Sequence, residues 1–154
     1  KTLIEALRKD FDYIIIDCPA GIEQGFKNAI AAADEAIVVT TPEISATRDA
    51  DRIIGLLEAN DIRSPKLIIN RIKMDMVKAG NMLGVEDILD ILAIPLLGVI
   101  PDDENIVIST NKGESLAAEA YRNVVGRMTG KDVPFLNLDV KHGFFDKLKM
   151  VFGK

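Results

Sequence analysis

Blocks of hydrophobic positions alternate with blocks of mixed polarity along the whole chain. The runs "YIII", "AIVV" and "KLII" are continuously apolar, which is typical of parallel strands that helices cover on both faces. Longer stretches between these runs have the composition of helices. This order predicts an α/β fold with a doubly wound, mostly parallel sheet.

The predicted elements can be placed along the sequence in chain order. We predict strands at 13–17, 36–40, 66–70 and 97–100. We predict helices within "KTLIEALRKD" and at 24–33, 45–60, 85–92 and 117–128, with a terminal helix from Gly143. Residues 1–130 are therefore predicted to form the α/β domain. Residues 131–142 form a linker, in which Pro134 interrupts the periodicity, and 143–154 form a separate amphipathic helix.

Composition limits the class of protein. The chain has 154 residues, and 48% of them are hydrophobic, which is enough to fill the core of one domain. Its formal charge of -5 argues against a specific nucleic-acid partner. Cys18 is the only cysteine, and neither a secretory leader nor an apolar run of about 18 residues is present. We therefore expect a cytosolic protein that does not span a membrane.

The first predicted strand ends in a carboxylate, Asp17. Ligands of open α/β sheets bind at the carboxyl ends of the strands, so Asp17 is placed where a Walker B aspartate would bind Mg²⁺ beside nucleotide phosphates. The alternative is that Asp17 begins a turn before Pro19 and Gly21. The apolar run and the aspartate alone do not decide between the two.

The segment "DCPAGIE" resembles the Walker B and switch II segment of the MinD/ParA family of deviant Walker ATPases, closest to its MinD branch. The resemblance implies that Asp17 is linked to magnesium, through water, and that the backbone of Gly21 senses the γ-phosphate. Glycine suits that position because it lacks Cβ and tolerates unusual dihedral angles. Glu23 belongs to the same switch. We interpret Cys18 as a small buried residue, because no histidine is nearby to activate it.

The segment "ADEAIVVTTPEISATRDADRIIGLL" is similar to the strand, loop and helix that follow the switch in that family. The resemblance implies that Arg48, Asp49 and Asp51 contact regulatory partners, namely the division inhibitor and the topological regulator of the Min system. The alternative is an ordinary first helical turn, in which acidic residues suit the helix dipole and Ser45 or Thr47 is the cap.

Two later strand ends carry residues suited to a nucleotide base. "KLIINRI" places Asn70 and Arg71 at one strand end, and "GVIPDDEN" places Pro101 and Asp103 at another. An asparagine amide offers both a donor and an acceptor to adenine. The resemblance implies that Asn70 and Arg71 lie at the base, and Pro101 and Asp103 beside adenine and ribose, so ATP and Mg²⁺ are the implied cofactors. The alternative for Asn70 and Pro101 is ordinary turn chemistry.

A phosphate-binding loop of the form G-x-x-x-x-G-K-[ST] is not found in the sequence. "NKGES" and "GKDV" lack its spacing. In the resembled family this loop precedes the region where this chain begins. We therefore expect the carboxyl-terminal part of a longer P-loop ATPase, incomplete at its N-terminus and unable to hydrolyse ATP alone.

The end of the chain has its own charge and pattern. Residues 138–154 carry a net charge of +2, which leaves -7 for the rest. On a helix, the apolar side chains of "FFDKLKMVFGK" fall within an arc of roughly 120° with lysines opposite, the pattern of a helix lying in an anionic membrane surface. The position is similar to that of the family's membrane-targeting helix, and the alternative is a helix docked on the domain. The predicted membrane-binding residues are Phe144, Phe145, Leu148, Val151, Phe152, Lys147 and Lys149.

These features together predict a switch that places the division septum. A short helix is marginal in water, so one copy should bind membrane weakly, and an ATP-bound homodimer should bind strongly through avidity. We expect a cytoplasmic protein, peripheral on the inner face of the cell membrane. Two alternatives remain open: a ParA-like or other scaffold ATPase with a protein-binding tail, and a non-catalytic membrane adaptor.

Overall fold

The computed structural model describes residues 2–19, 21–103 and 115–138. Its helices are α1 Thr2–Leu7, α2 Gln24–Ile30, α3 Ile44–Glu58, α4 Met74–Lys78, α5 Val85–Leu92 and α6 Leu116–Met128, and its strands are β1 Ile37–Thr40, β2 Lys66–Ile72 and β3 Leu96–Pro101. Each predicted helix that falls on these residues is confirmed, as are three of the four predicted strands. The short helix α4 was not predicted, and the helix predicted from Gly143 lies outside the described residues.

The three strands form a parallel sheet in the order β1-β2-β3. Leu67 and Ile69 of the central strand β2 pack into a core with α3 and α5 on one face of the sheet. Ile68, between them, packs into a second core with β3 and α6 on the other face. Helices therefore cover β2 on both sides, which confirms the doubly wound arrangement and explains its uninterrupted apolar sequence.

Helix α6 lies unusually close to β3 because β3 contains a glycine. A Cβ atom added to Gly98 would stand 2.3 Å from Cγ2 of Val124 on α6. Next along α6, Arg127 donates hydrogen bonds to the carbonyl oxygens of Leu97, Val133 and Pro134. One guanidinium thus connects β3, α6 and the segment that follows α6.

The predicted strand at 13–17 is wrong. This segment joins no strand ladder in the described part of the chain, and the residues Tyr13 and Ile15 are 61% and 83% exposed. The interpretation of Cys18 as a buried residue is wrong as well, because its side chain is exposed. An apolar run becomes a buried strand only where neighbouring strands supply hydrogen bonds and other elements cover it, and within the described residues no strand pairs with this segment.

The length and hydropathy of the described helices can be compared with those of a membrane span. None of those within residues 2–19, 21–103 and 115–138 has the length and hydropathy needed to cross a bilayer.

Candidate functional site

The carboxyl ends of β2 and β3 meet at one edge of the sheet. Their parallel register pairs Ile72 with Pro101, and the backbone N–H of Asp102 donates to the carbonyl oxygen of Ile72 at 2.9 Å. This pairing brings together the four residues predicted for the base side. They are Asn70, Arg71, Pro101 and Asp103. Their contact with a nucleotide stays a prediction.

The end of β2 is irregular where two of these residues lie. The register between β2 and β3 shifts between Ile69 and Ile72, and Arg71 within that interval has φ of 62°. A left-handed backbone costs a residue other than glycine about 1–2 kcal/mol. Irregularities of this kind re-aim side chains and are frequent next to active sites. The bulge directs the side chain of Arg71, which is 69% exposed, to the surface of this edge.

A carboxylate at the same edge is bracketed by two cations. Nζ of Lys73 lies 3.0 Å from Oδ2 of Asp102, and Nε of Arg71 lies 3.5 Å from Oδ1. The hydrogen bond with Lys73 is the main cause that lowers the pKa of the Asp102 carboxyl, and Arg71 acts in the same direction. Asp102 therefore stays ionised at neutral pH.

Asp102 and Lys73 were missed in the sequence analysis. The available signal was an acid next to Asp103 at a strand end and a lysine two positions after Arg71. The pairing depends on the bulged register of β2, and no sequence period reveals a bulge.

The predicted phosphate side lies in the segment before α2. Asp17 is exposed there, and because its segment is outside the β1–β3 ladder, no strand register fixes it relative to the edge described above. Gly21 has φ of 97°, a value that glycine adopts without strain, and its contact with a γ-phosphate stays a prediction. Pro19 packs on the start of α2, where a Cβ atom on Gly25 would stand 2.6 Å from its Cγ.

The metal chemistry open to these residues is limited. In the described part of the chain, no group of three or more His, Cys, Asp or Glu side chains could bind a metal ion. Mg²⁺ at nucleotide sites commonly uses one or two carboxylates, with waters and phosphates as its other ligands. A single aspartate such as Asp17 fits that mode and does not form a metal site without a nucleotide.

The residues predicted to contact regulatory partners lie together on the exposed side of α3. Arg48, Asp49 and Asp51 are all exposed. Asp49 forms an ion pair with Arg52, at 3.9 Å. Long exposed pairs of this kind contribute little to stability. The three side chains are therefore accessible, and their contact with a partner stays a prediction.

The alternative placement of these acids in a first helical turn is wrong. Helix α3 begins at Ile44 after the N-cap Glu43, so Asp49 lies in the second turn. Glu43 makes no side-chain capping bond, and Thr47 does not cap the helix. Its hydroxyl instead donates to the carbonyl oxygen of Glu43 at 2.9 Å. The predicted membrane-binding residues at 144–152 lie outside the described residues.

Comparison with known proteins places the chain among cell-division proteins. A family profile described as "AAA domain" matches residues 1–73. The septum site-determining protein MinD of Synechocystis is 57% identical over 150 residues, which cover 92% of this chain.

Solved structures agree with that similarity. In the MinC:MinD cell division protein complex of Aquifex aeolicus, the matching chain has a TM-score of 0.79 and 44% identity, over 88% of this chain and 60% of that one. The septum site-determining protein MinD of Pyrococcus horikoshii, complexed with Mg-ADP, has a TM-score of 0.69 and 30% identity, over 84% of this chain and 56% of that one. The chain spans 56% of the length of the Synechocystis relative.

Proposed function

Because this chain belongs to the family of septum site-determining MinD proteins, we propose that its full-length form is a magnesium-dependent ATPase that places the division septum. The observation that carries this proposal is the edge where β2 and β3 end. It gathers Asn70, Arg71 and Pro101 by strand register, at the position where open α/β sheets bind ligands.

Each residue at this edge has a chemical role in the proposal. The amide of Asn70 hydrogen-bonds the adenine edge, and the guanidinium of Arg71 lies against the base. Pro101 and Asp103 flank adenine and ribose. At the phosphate side, Asp17 would hold Mg²⁺, through water, and the backbone of Gly21 would contact the γ-phosphate. The metal would neutralise charge on the β- and γ-phosphates. The Mg-ADP bound to the P. horikoshii relative supports this choice of cofactor.

Regulatory partners are the second part of the proposal. MinC is bound to MinD in the A. aeolicus complex, which supports a Min-system partner for this protein as well. The proposed contact surface is the exposed group Arg48, Asp49 and Asp51 on α3.

Membrane binding is the third part. The full-length protein is cytoplasmic and peripheral on the inner face of the cell membrane, through the amphipathic segment 143–154. ATP-dependent homodimerisation places two such segments side by side and raises avidity by a factor of about 10² to 10⁴. Hydrolysis separates the dimer and releases both segments.

Vesicle pelleting of the full-length protein tests this function. We expect ATP to increase pelleting with vesicles that contain anionic lipid. Pelleting that does not depend on nucleotide would favour the membrane adaptor. ATP hydrolysis without any pelleting would favour the ParA-like or scaffold ATPase with a protein-binding tail.

A further inference from the structure

Asp102 occupies the centre of the cluster Arg71–Asp102–Lys73 at the end of β2 and β3. We propose that Asp102 is a positioning residue for nucleotide recognition, which holds the guanidinium of Arg71 by one edge so that its plane is offered to the purine base. This inference rests on the proposed function, since it refines how the same site recognises ATP.

Asp102 is itself firmly held. Its backbone N–H is bonded to the carbonyl oxygen of Ile72 at 2.9 Å, and Lys73 binds its Oδ2 at 3.0 Å. Its side chain is only 19% exposed. The remaining oxygen, Oδ1, is thus fixed in space and faces Nε of Arg71 at 3.5 Å. A carboxylate held by Lys73, on a backbone held by Ile72, can orient the more exposed side chain of Arg71.

Arg71 needs such an orienting contact. The bulge and the positive φ of Arg71 set only the direction in which its side chain leaves the backbone. The four bonds beyond Cα remain free to rotate in an exposed side chain, and fixing them on binding costs conformational entropy. A contact at Nε immobilises the guanidinium before a ligand arrives and leaves the plane and both terminal nitrogens available.

The geometry of the cluster indicates which part of a nucleotide it receives. Asp102 contacts Arg71 at Nε, so one face of the guanidinium plane stays open, and such a plane stacks on neutral aromatic rings. The cluster therefore suits a base. A lysine at position 71 could not replace arginine, because an ammonium has no plane to stack.

A double-mutant cycle on the full-length protein tests the proposal, with a fluorescent ATP analogue as the probe. We expect Asp102→Asn to weaken binding of the analogue about 3- to 10-fold, a range typical of one lost orienting contact. In an Arg71→Ala background, Asp102→Asn should have no further effect. Equal weakening by Asp102→Asn in both backgrounds would show that Asp102 does not act through Arg71, and would overturn the proposal.

Asp61→Asn is the matched control. Asp61 forms an ion pair with Arg63 at 4.0 Å, but it lies before the amino end of β2, at the opposite edge of the sheet. Its φ of 66° is one that asparagine tolerates. We expect this control to bind the analogue as the wild type does. A similar loss in the control would mean that any charge removal weakens binding, which contradicts a specific role for Asp102.

Two further measurements separate positioning from structure. Asp102→Glu keeps the charge and should retain most of the affinity, so a loss as large as that of Asp102→Asn would overturn the proposal. In protein without nucleotide, the Nε–H proton of Arg71 should exchange with water faster in Asp102→Asn than in the wild type, by NMR. If the wild-type protein fails to bind ATP, the proposed function and this inference both fail. If the wild type binds ATP and Asp102→Asn binds it with the same affinity, this inference alone fails.

Discussion

At the end of β2, Asn70 and Arg71 are adjacent in sequence but differ in exposure. Asn70, within β2, is half-buried, whereas Arg71 is exposed to solvent. A half-buried amide has less freedom to rotate than an exposed side chain, and its donor and acceptor can distinguish one hydrogen-bonding pattern from another. We therefore expect that Asn70 determines the discrimination between bases. Arg71 should determine how strongly the base is stacked.

Replacing Asn70 with alanine tests that division of labour. In the full-length protein, Asn70→Ala should weaken the binding of ATP relative to that of GTP by about 1–3 kcal/mol, the scale of a bidentate contact to a base. Competition binding with both nucleotides measures the difference. Asn60→Ala, at the exposed end of α3, is the control. Equal loss for both nucleotides would show that Asn70 does not read the base.

Asp17 carries the prediction for the phosphate side. Asp17→Asn removes the charge but keeps the shape, so the full-length variant should fold normally and lose ATP hydrolysis. Turnover and circular dichroism are the measurements, with the exposed Asp12→Asn as the control. Unchanged turnover in Asp17→Asn would leave Asp17 with the role of a turn residue.

The candidate site could be predicted from the sequence only in part. Asn70, Arg71, Pro101 and Asp103 could be predicted because they follow apolar runs, and parallel strands end at one edge. Asp102 and Lys73 could not, since their contact depends on the register shift between Ile69 and Ile72.

At the scale of elements, the close packing of α6 on β3 leaves no space for a side chain at Gly98. Gly98→Ala should destabilise the fold by about 1–3 kcal/mol, because the added methyl forces Val124 or the helix to move. Urea unfolding of this chain measures the change.

Gly55→Ala is the control for Gly98. Gly55 lies within α3, and a Cβ atom added there meets no heavy atom within 4 Å. Alanine should stabilise that helix by about 0.5–1 kcal/mol. A similar loss of stability in both variants would mean that the contact with Val124 is not the cause.

A second contact between elements should depend on pH. Nη1 and Nη2 of Arg8, just after α1, each lie 2.8 Å from an oxygen of Asp34, which lies between α2 and β1. The hydrogen bonds from Arg8 lower the pKa of the Asp34 carboxyl in the folded state. The pair therefore stabilises the fold fully above the unfolded pKa of about 4, and this contribution is lost as the pH falls below it.

Melting temperatures at pH 6 and pH 3 test this dependence. Asp34→Asn should be less stable than the wild type at pH 6, and the difference should shrink at pH 3. Asp10→Asn, an exposed aspartate that follows the same helix, should show no such change. A constant difference between wild type and Asp34→Asn at both pH values would contradict the prediction.

For the whole molecule, the doubly wound order could be predicted because each strand that enters the sheet is a continuous apolar run. The same pattern failed at 13–17, since an apolar run records only that a segment can be buried. Whether it is buried depends on neighbouring elements, and the sequence of the segment itself does not contain them. Helix α4 was missed because its five residues are too few to establish a period.

The membrane prediction also concerns the whole molecule and can be tested on this chain. Burial of a phenylalanine side chain contributes roughly 1.5–3 kcal/mol, so Phe145→Glu should abolish binding to anionic vesicles. Neutralising Lys147 or Lys149 should reduce the free energy of binding to anionic vesicles by about 1 kcal/mol each. That loss should disappear on neutral lipid or in high salt. Vesicle sedimentation is the measurement.

Forced dimerisation is the complementary test for the tail. The chain alone should bind anionic vesicles weakly, and fusion to a dimeric coiled coil should tighten binding strongly. Unchanged affinity after fusion, or unfolding of the domain by Phe145→Glu, would indicate a helix docked on the domain.

The outer edge of β1 has a consequence for handling the chain in solution. Among the described residues β1 pairs with β2 alone, Ile37 and Val39 are exposed on it, and the apolar side chains of Tyr13 and Ile15 are exposed as well. Unpaired backbone groups beside exposed apolar side chains form a template on which a second molecule can add its own strand. The isolated chain should therefore aggregate as its concentration rises, at temperatures well below its melting point. Its shelf life will be set by collisions between folded molecules and not by unfolding.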